Sequence, residues 1–381
     1  MQTAPEYLAN VALRGETHGV RRFGLDAWRA SAILLVLVGH ASFFFLPLTR
    51  ELDVWYSLAF LGVELFFVLS GFLIGGILIG EFRSGTFRLK QFWTRRWLRT
   101  LPNYFLFLAL NIVLYRAMFG VWPQFGLFVV FLQNFAWPHP PMFSEAWSLS
   151  IEELFYLMAP LATLAVGRMT KWRGGVFGWL LLAIAVVTAI RIGYVLWRDP
   201  AWDAGVRKIA LVRLDAFIYG VAAVWFHAVR GMSMRACRWS ALAGVLGMTA
   251  VTLAFFLLPR DHDFFARTFL FNLMPASLAA MLPLVAEWRG GGSPRIAQVC
   301  VRRIALWSYS LYLCQLAVMR AMSLLPWKPS TPAECLLGAA VFVALSISCA
   351  AFVYHFFERP ILRWRDRITA RPRAADVAPA A

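Results

Sequence analysis

His40 stands in a run from Ala30 to Leu48 that holds no other ionisable side chain, eleven residues after Arg29. On a helix that interval is about 16 Å of rise, and eleven steps of about 100° bring the two side chains back to one face. An imidazole at mid-membrane depth is a candidate general base; the plainer role is a hydrogen bond that ties two helices together. Glu64 lies about 15 Å into the next apolar run. Its carboxylate, level with His40, could fix the imidazole tautomer and steady the ring during proton transfer, or could hydrogen-bond elsewhere in the bundle. Arg95, Arg96 and Arg99 form a cluster whose planar forks suit phosphate oxygens, and whose charge equally serves to orient a span. Trp147, Ser150, Glu152 and Tyr156 open a further apolar run. Ser150 and Glu153 have capping-box spacing, in which Glu152 has no part.

These side chains need a membrane bundle to hold them. The 381 residues are 60% hydrophobic and 15% charged, with a mean hydropathy of +0.64, whereas roughly a quarter of residues are charged in soluble domains. We expect an all-α membrane protein of about ten transmembrane helices. They lie near Ala30–Leu48, Val54–Ile79, Leu98–Phe119, Trp147–Val166, Val176–Trp197, Ile209–His227, Ala241–Leu258, Phe264–Ala286, Ile304–Leu325 and Cys335–Phe357. Val121–Ala136, short and interrupted by Pro123, is expected to be a re-entrant or interfacial segment. Leaving it out of the count puts most of the 37 Lys and Arg residues on one side, with both termini cytoplasmic.

The net charge of +17 sits in short clusters between apolar runs, a topological pattern rather than a nucleic-acid-binding face. The five Cys show neither paired nor metal-ligand spacing, so neither a disulfide nor a metal site is expected. The first apolar run has no small-residue cleavage site and reads as a span, not a removed signal peptide. Residues 1–22 read as a cytoplasmic segment, 23–367 as the membrane domain and 368–381 as a disordered tail. Arg363, Arg365 and Arg367 are expected along the inner membrane surface.

Asp26-Ala-Trp-Arg29 with His40, and Gly62-Val-Glu64 running on to Ser70-Gly71-Phe72, resemble the opening of the acyltransferase 3 family. The resemblance continues through Arg95-Arg96-Trp-Leu-Arg99, Trp147-Ser-Leu-Ser-Ile-Glu152-Glu153-Leu-Phe-Tyr156 and Arg213-Leu-Asp215-Ala-Phe-Ile-Tyr-Gly220. It closes with Ser308-Tyr309-Ser310-Leu-Tyr312-Leu and Phe357-Glu358-Arg359-Pro360. Members of that family are ten-span bacterial enzymes of the cytoplasmic membrane that O-acylate polysaccharides and other glycans. The resemblance implies an acyl-CoA donor, acetyl-CoA among the candidates, with no bound cofactor, and a glycan or lipid-linked saccharide as acceptor. It implies Arg29, Arg95, Arg96 and Arg99 for the donor, and Trp147, Ser150, Glu152 and Tyr156 for the acceptor. His40 is then the base with Glu64 as its partner, or itself the carrier of the acyl group.

One position departs from the family. Where many relatives have a histidine, two residues after Leu313, this chain has Gln315, which cannot act as a base. Arg213 and Asp215 are expected to form a structural ion pair. No Gly-x-Ser-x-Gly elbow is present, which removes a serine-hydrolase route. The rival reading is a transporter of an anionic or lipid-linked solute, since intramembrane His, Glu and Arg also build ion pathways. It lacks support from matching halves with broken segments, which the sequence does not show.

Overall fold

A computed structural model describes residues 22–49, 53–170 and 175–369. The expected N-terminal segment, up to residue 21, and the expected tail from residue 370 lie outside the described residues. All regular elements among those described are helical. The long helices are α1 (Phe23–Ala41), α2 (Asp53–Arg83), α3 (Leu89–Phe119), α4 (Ala146–Thr170), α5 (Val176–Arg198), α6 (Asp215–Val224), α7 (Met234–Leu257), α8 (Leu270–Glu287), α9 (Arg295–Ser323) and α10 (Pro332–Val353). A π-helical turn, Tyr354–Glu358, leads α10 into α11 (Arg359–Ile368).

Nine helical stretches among the described residues are long and apolar enough to cross a membrane. The tenth expected span falls in the helix α9, which is less apolar because it carries Ser308, Ser310, Gln315 and Arg320. Ser308, Ser310 and Gln315 are buried, because α9 packs between α1 and α10. Helix α2 is the mostly buried centre, packed on α1, α6 and α8. Helices α5 and α7 keep long apolar faces exposed, among them Leu181, Leu182, Leu246 and Leu253, as lipid contact requires.

The α2–α6 crossing needs glycine. A Cβ on Gly71 would sit 1.9 Å from the Phe217 carbonyl oxygen, and one on Gly220 would sit 2.1 Å from that of Val68. Two backbones touch there, so Ser70 and its neighbours are held closely against α6.

Two expected runs are broken: Ile209–His227 opens with a 3-10 turn, Ala210–Val212, and becomes α6 only at Asp215. The run Phe264–Ala286 is not one helix. A single turn, Phe264–Arg267, capped by the Asp263 side chain, is followed by a break at Thr268 before α8 begins. Val121–Ala136, not expected to be a span, forms only one helical turn, Gly126–Val129. Its polar residues turn inward instead: Gln133 and Asn134 are fully buried and donate to the Ala146 and Trp147 carbonyls at 3.0 and 2.9 Å.

Candidate active site

His40 lies at the last turn of α1, half-buried, with Phe43 stacked beside it. Gln315 of α9 lies beside it. The imidazole Nδ1 is buried without a partner, as is Gln315 Oε1. Glu64 is elsewhere engaged: its Oε1 accepts from Arg213 Nη2, with both side chains fully buried. The expected Glu64–His40 contact is therefore replaced by an ion pair across α2 and the start of α6. The expected Arg213–Asp215 pair is replaced as well, because Asp215 takes Arg191 of α5 at 2.8 Å. The physical reason is shared. A buried guanidinium needs an anion, and with two arginines and two carboxylates each charge finds the partner its helix faces.

Helix α4 supplies the wall beside this centre. Glu152 Oε1 accepts from Ser70 Oγ at 2.8 Å and from Tyr156 Oη. Glu153, fully buried one step round the helix, accepts from Thr100 Oγ1 at 2.6 Å. The capping box is absent, because α4 starts at Ala146 and Ser150 already lies inside it. Ser150 donates instead to Asn134 Oδ1 and to the Trp147 carbonyl, which makes it a clamp on the irregular segment. Trp147 is buried, with its ring 4.6 Å beneath the Arg207 guanidinium.

The arginines divide. Arg99 of α3 and Arg29 of α1 both lie within electrostatic reach of Glu358, whose Oε2 accepts from Ser310 Oγ at 2.6 Å and Asn103 Nδ2 at 3.0 Å. Arg96 turns the other way, its guanidinium 5.7 Å from the Tyr156 ring centroid. Arg95 reaches α11, where Thr369 Oγ1 is 3.3 Å away and Asp366 is 3.8 Å away. Arg365, expected at the membrane surface, is buried and pairs with Asp366 at 2.8 Å.

The helices thus carry His40 at the end of α1, a hydrogen-bonded carboxylate pair on α4, and Arg29 and Arg99 on either side of Glu358. The profile of the family described as an acyltransferase domain matches residues 22–355. The chain belongs to that family. Peptidoglycan O-acetyltransferase OatA of Listeria monocytogenes is 30% identical over 167 residues, which are 39% of this chain and 25% of that protein. YrhL of Bacillus subtilis, provisionally named a peptidoglycan O-acetyltransferase, is 29% identical over 44% of this chain and 28% of its own length. The aligned part is thus about a quarter of the length of these relatives. No solved structure matches the chain.

For an acyltransferase domain, three residues near the centre went unassigned in the sequence. Arg207 lies in a π-helical turn, Trp202–Arg207, buried against Trp147 and paired with Asp203, within electrostatic reach of His40 and Glu64. Glu358 belongs to the quoted Phe357-Glu358-Arg359-Pro360 motif, and its place in that motif was the available signal. Glu145 precedes α4, is buried, and has no partner for either carboxyl oxygen in another residue. Among the described residues no group of three His, Cys, Asp or Glu could hold a metal ion.

Proposed function

We propose that this protein moves an acetyl group from a cytoplasmic acetyl-CoA to a hydroxyl of a cell-envelope glycan, with the relatives' peptidoglycan as the leading acceptor. The observation that carries the reading is His40, half-buried at the end of α1 and about 16 Å along that helix from Arg29. A ligand with phosphates at one end of a thin arm and a thioester at the other fits that separation. Arg29 and Arg99 take the phosphates, and Glu358 keeps their forks in place. The thioester then reaches His40.

The chemistry asks little beyond placement, since a thioester is already activated. The acceptor oxygen attacks the thioester carbonyl carbon as His40 takes the hydroxyl proton. The tetrahedral oxyanion collapses, the carbon–sulfur bond breaks, and the CoA thiolate leaves with the proton that His40 returns. Arg207 is the nearby cation suited to steady the oxyanion. Glu152, held by Ser70 and Tyr156, orients the acceptor.

In this reading the chain is a multi-pass protein of the bacterial cytoplasmic membrane with both described ends inside. The α4 start and the Gly126–Val129 turn then lie at the outer side. Purified protein in liposomes, given radiolabelled acetyl-CoA and an N-acetylglucosamine oligosaccharide, tests the activity: labelled, base-labile ester on the sugar supports it, and none contradicts it. Single cysteines on a Cys-free background test the orientation. Ser84 and Ser293 positions should label only from the inside, and Ser144 and Ser330 only from the outside.

A further inference from the structure

Four buried side-chain oxygens near the start of α4 have no hydrogen-bond partner in another residue: both carboxyl oxygens of Glu145, Oε1 of Gln133 and Oε1 of Gln315. The three residues are 2%, 0% and 0% exposed. Bonds to shared neighbours keep them together. Gln133 Nε2 donates to the Ala146 carbonyl, adjacent to Glu145, at 3.0 Å. Tyr312 Oη lies 3.2 Å from the Glu145 carbonyl and 2.6 Å from Ser148 Oγ. Gln315 stands one turn further along α9 from Tyr312 and lies beside His40.

Leaving a buried polar atom unpaired is costly, so a concentration of such atoms marks a place that something else fills. The two amide oxygens lack a donor, and the protonated Glu145 carboxyl lacks both an acceptor for its O–H and a donor for its other oxygen. A bare anion could accept from Glu145 but would face two amide oxygens that only accept, so it does not fit. A metal cation would find a single carboxylate, with the Arg320 guanidinium already within electrostatic reach of it. Hydroxyl groups fit, because each can donate to one of these atoms and accept from another.

We infer that Glu145, with Gln133 and Gln315, holds the hydroxyl groups of a polyhydroxylated acceptor and presents one of them to His40. This rests on the proposed function and names the side chains that grip the acceptor. Glu145 is fixed for the task by its loop, since Arg320 donates to the Pro141 carbonyl at 2.8 Å, to the Met142 carbonyl, and to Ser144 Oγ at 3.3 Å. Burial lifts the Glu145 carboxyl to about 8, so at neutral pH it keeps a proton and can donate as well as accept.

The experiment measures transfer from acetyl-CoA to an N-acetylglucosamine oligosaccharide in liposomes for Glu145→Leu, Glu145→Gln and Gln133→Leu. Losing one or two hydrogen bonds predicts that Glu145→Leu raises the acceptor KM by about tenfold or more. The acetyl-CoA KM should move by less than about threefold, since the grip is on the acceptor. Glu145→Gln, which still donates and accepts, should remain within about threefold of wild type. If Glu145→Leu does not yield a monodisperse protein, Gln133→Leu carries the same test with the same expected direction. An active enzyme whose acceptor KM is unmoved by these leucine variants overturns the inference and leaves the function standing. A wild-type protein inert with every glycan overturns both.

Discussion

Gln315 of α9 lies beside the His40 imidazole, at the position where the family resemblance leads one to expect a second histidine. That place makes Gln315 a positioning residue: an amide can fix the ring but cannot share its proton. Gln315→Leu should keep the bundle folded and lower kcat by about tenfold, with little change in donor KM. Gln315→His should restore or exceed wild-type kcat while adding a second ionisation to its pH profile. A Gln315→Leu enzyme with wild-type kcat would remove the amide from the mechanism.

The Glu64–Arg213 pair predicts a stability effect. Both side chains are fully buried, and removing one partner strands the other's charge at a cost of about 3–5 kcal/mol. Glu64→Gln should therefore lower the thermal midpoint sharply, and Glu64→Gln combined with Arg213→Met should recover much of the loss. If Glu64→Gln leaves the midpoint unchanged and abolishes transfer, Glu64 serves the chemistry and not the pair.

The arginines should separate by role. Arg99→Lys keeps the charge beside Glu358 but removes the fork, and is expected to raise the acetyl-CoA KM by about tenfold. Arg95, engaged by Thr369 and Asp366 at the end of α11, should tolerate Lys within about twofold. Equal effects at both positions would contradict this division.

Glu145 also gives stability a pH dependence. Its carboxyl is raised from 4.5 to about 8 by burial, against the lowering influence of Arg320. Tyr312 and Tyr104 feel the same carboxyl. Between those two values the folded protein keeps a proton that the unfolded chain has released. The contribution is therefore complete below about pH 4.5 and lost as pH rises through about 8. The thermal midpoint in detergent should fall from pH 5 to pH 8.5 more steeply in wild type than in Glu145→Gln. Parallel curves would show that this carboxyl titrates at its ordinary value.

Span positions were legible because apolar runs of bilayer length need no partner to be recognised. Pro123 and the charge count marked Val121–Ala136 as something other than a span, but the inward turn of Gln133 and Asn134 and the clamp by Ser150 were not legible. Pairings were another matter. Glu64 and His40 share a depth, but which way each points depends on helix rotation, and α2 turns Glu64 toward Arg213. The three arginines read as one cluster along the chain, yet on the helix Arg95 and Arg99 share a face toward α11 and Glu358 while Arg96 projects toward Tyr156. Arg207 and Glu145 come from irregular segments without periodicity, and only tertiary packing brings them to the site.

The central claim is that His40 moves the proton. His40→Gln keeps a hydrogen-bonding side chain of similar reach and removes the titratable nitrogen. The measurement is the rate of acetyl transfer from radiolabelled acetyl-CoA to the glycan by wild type and His40→Gln, at matched amounts of monodisperse protein in liposomes. The variant should lose about a hundredfold or more of kcat. A His40→Gln enzyme that transfers acetyl at the wild-type rate would contradict that claim.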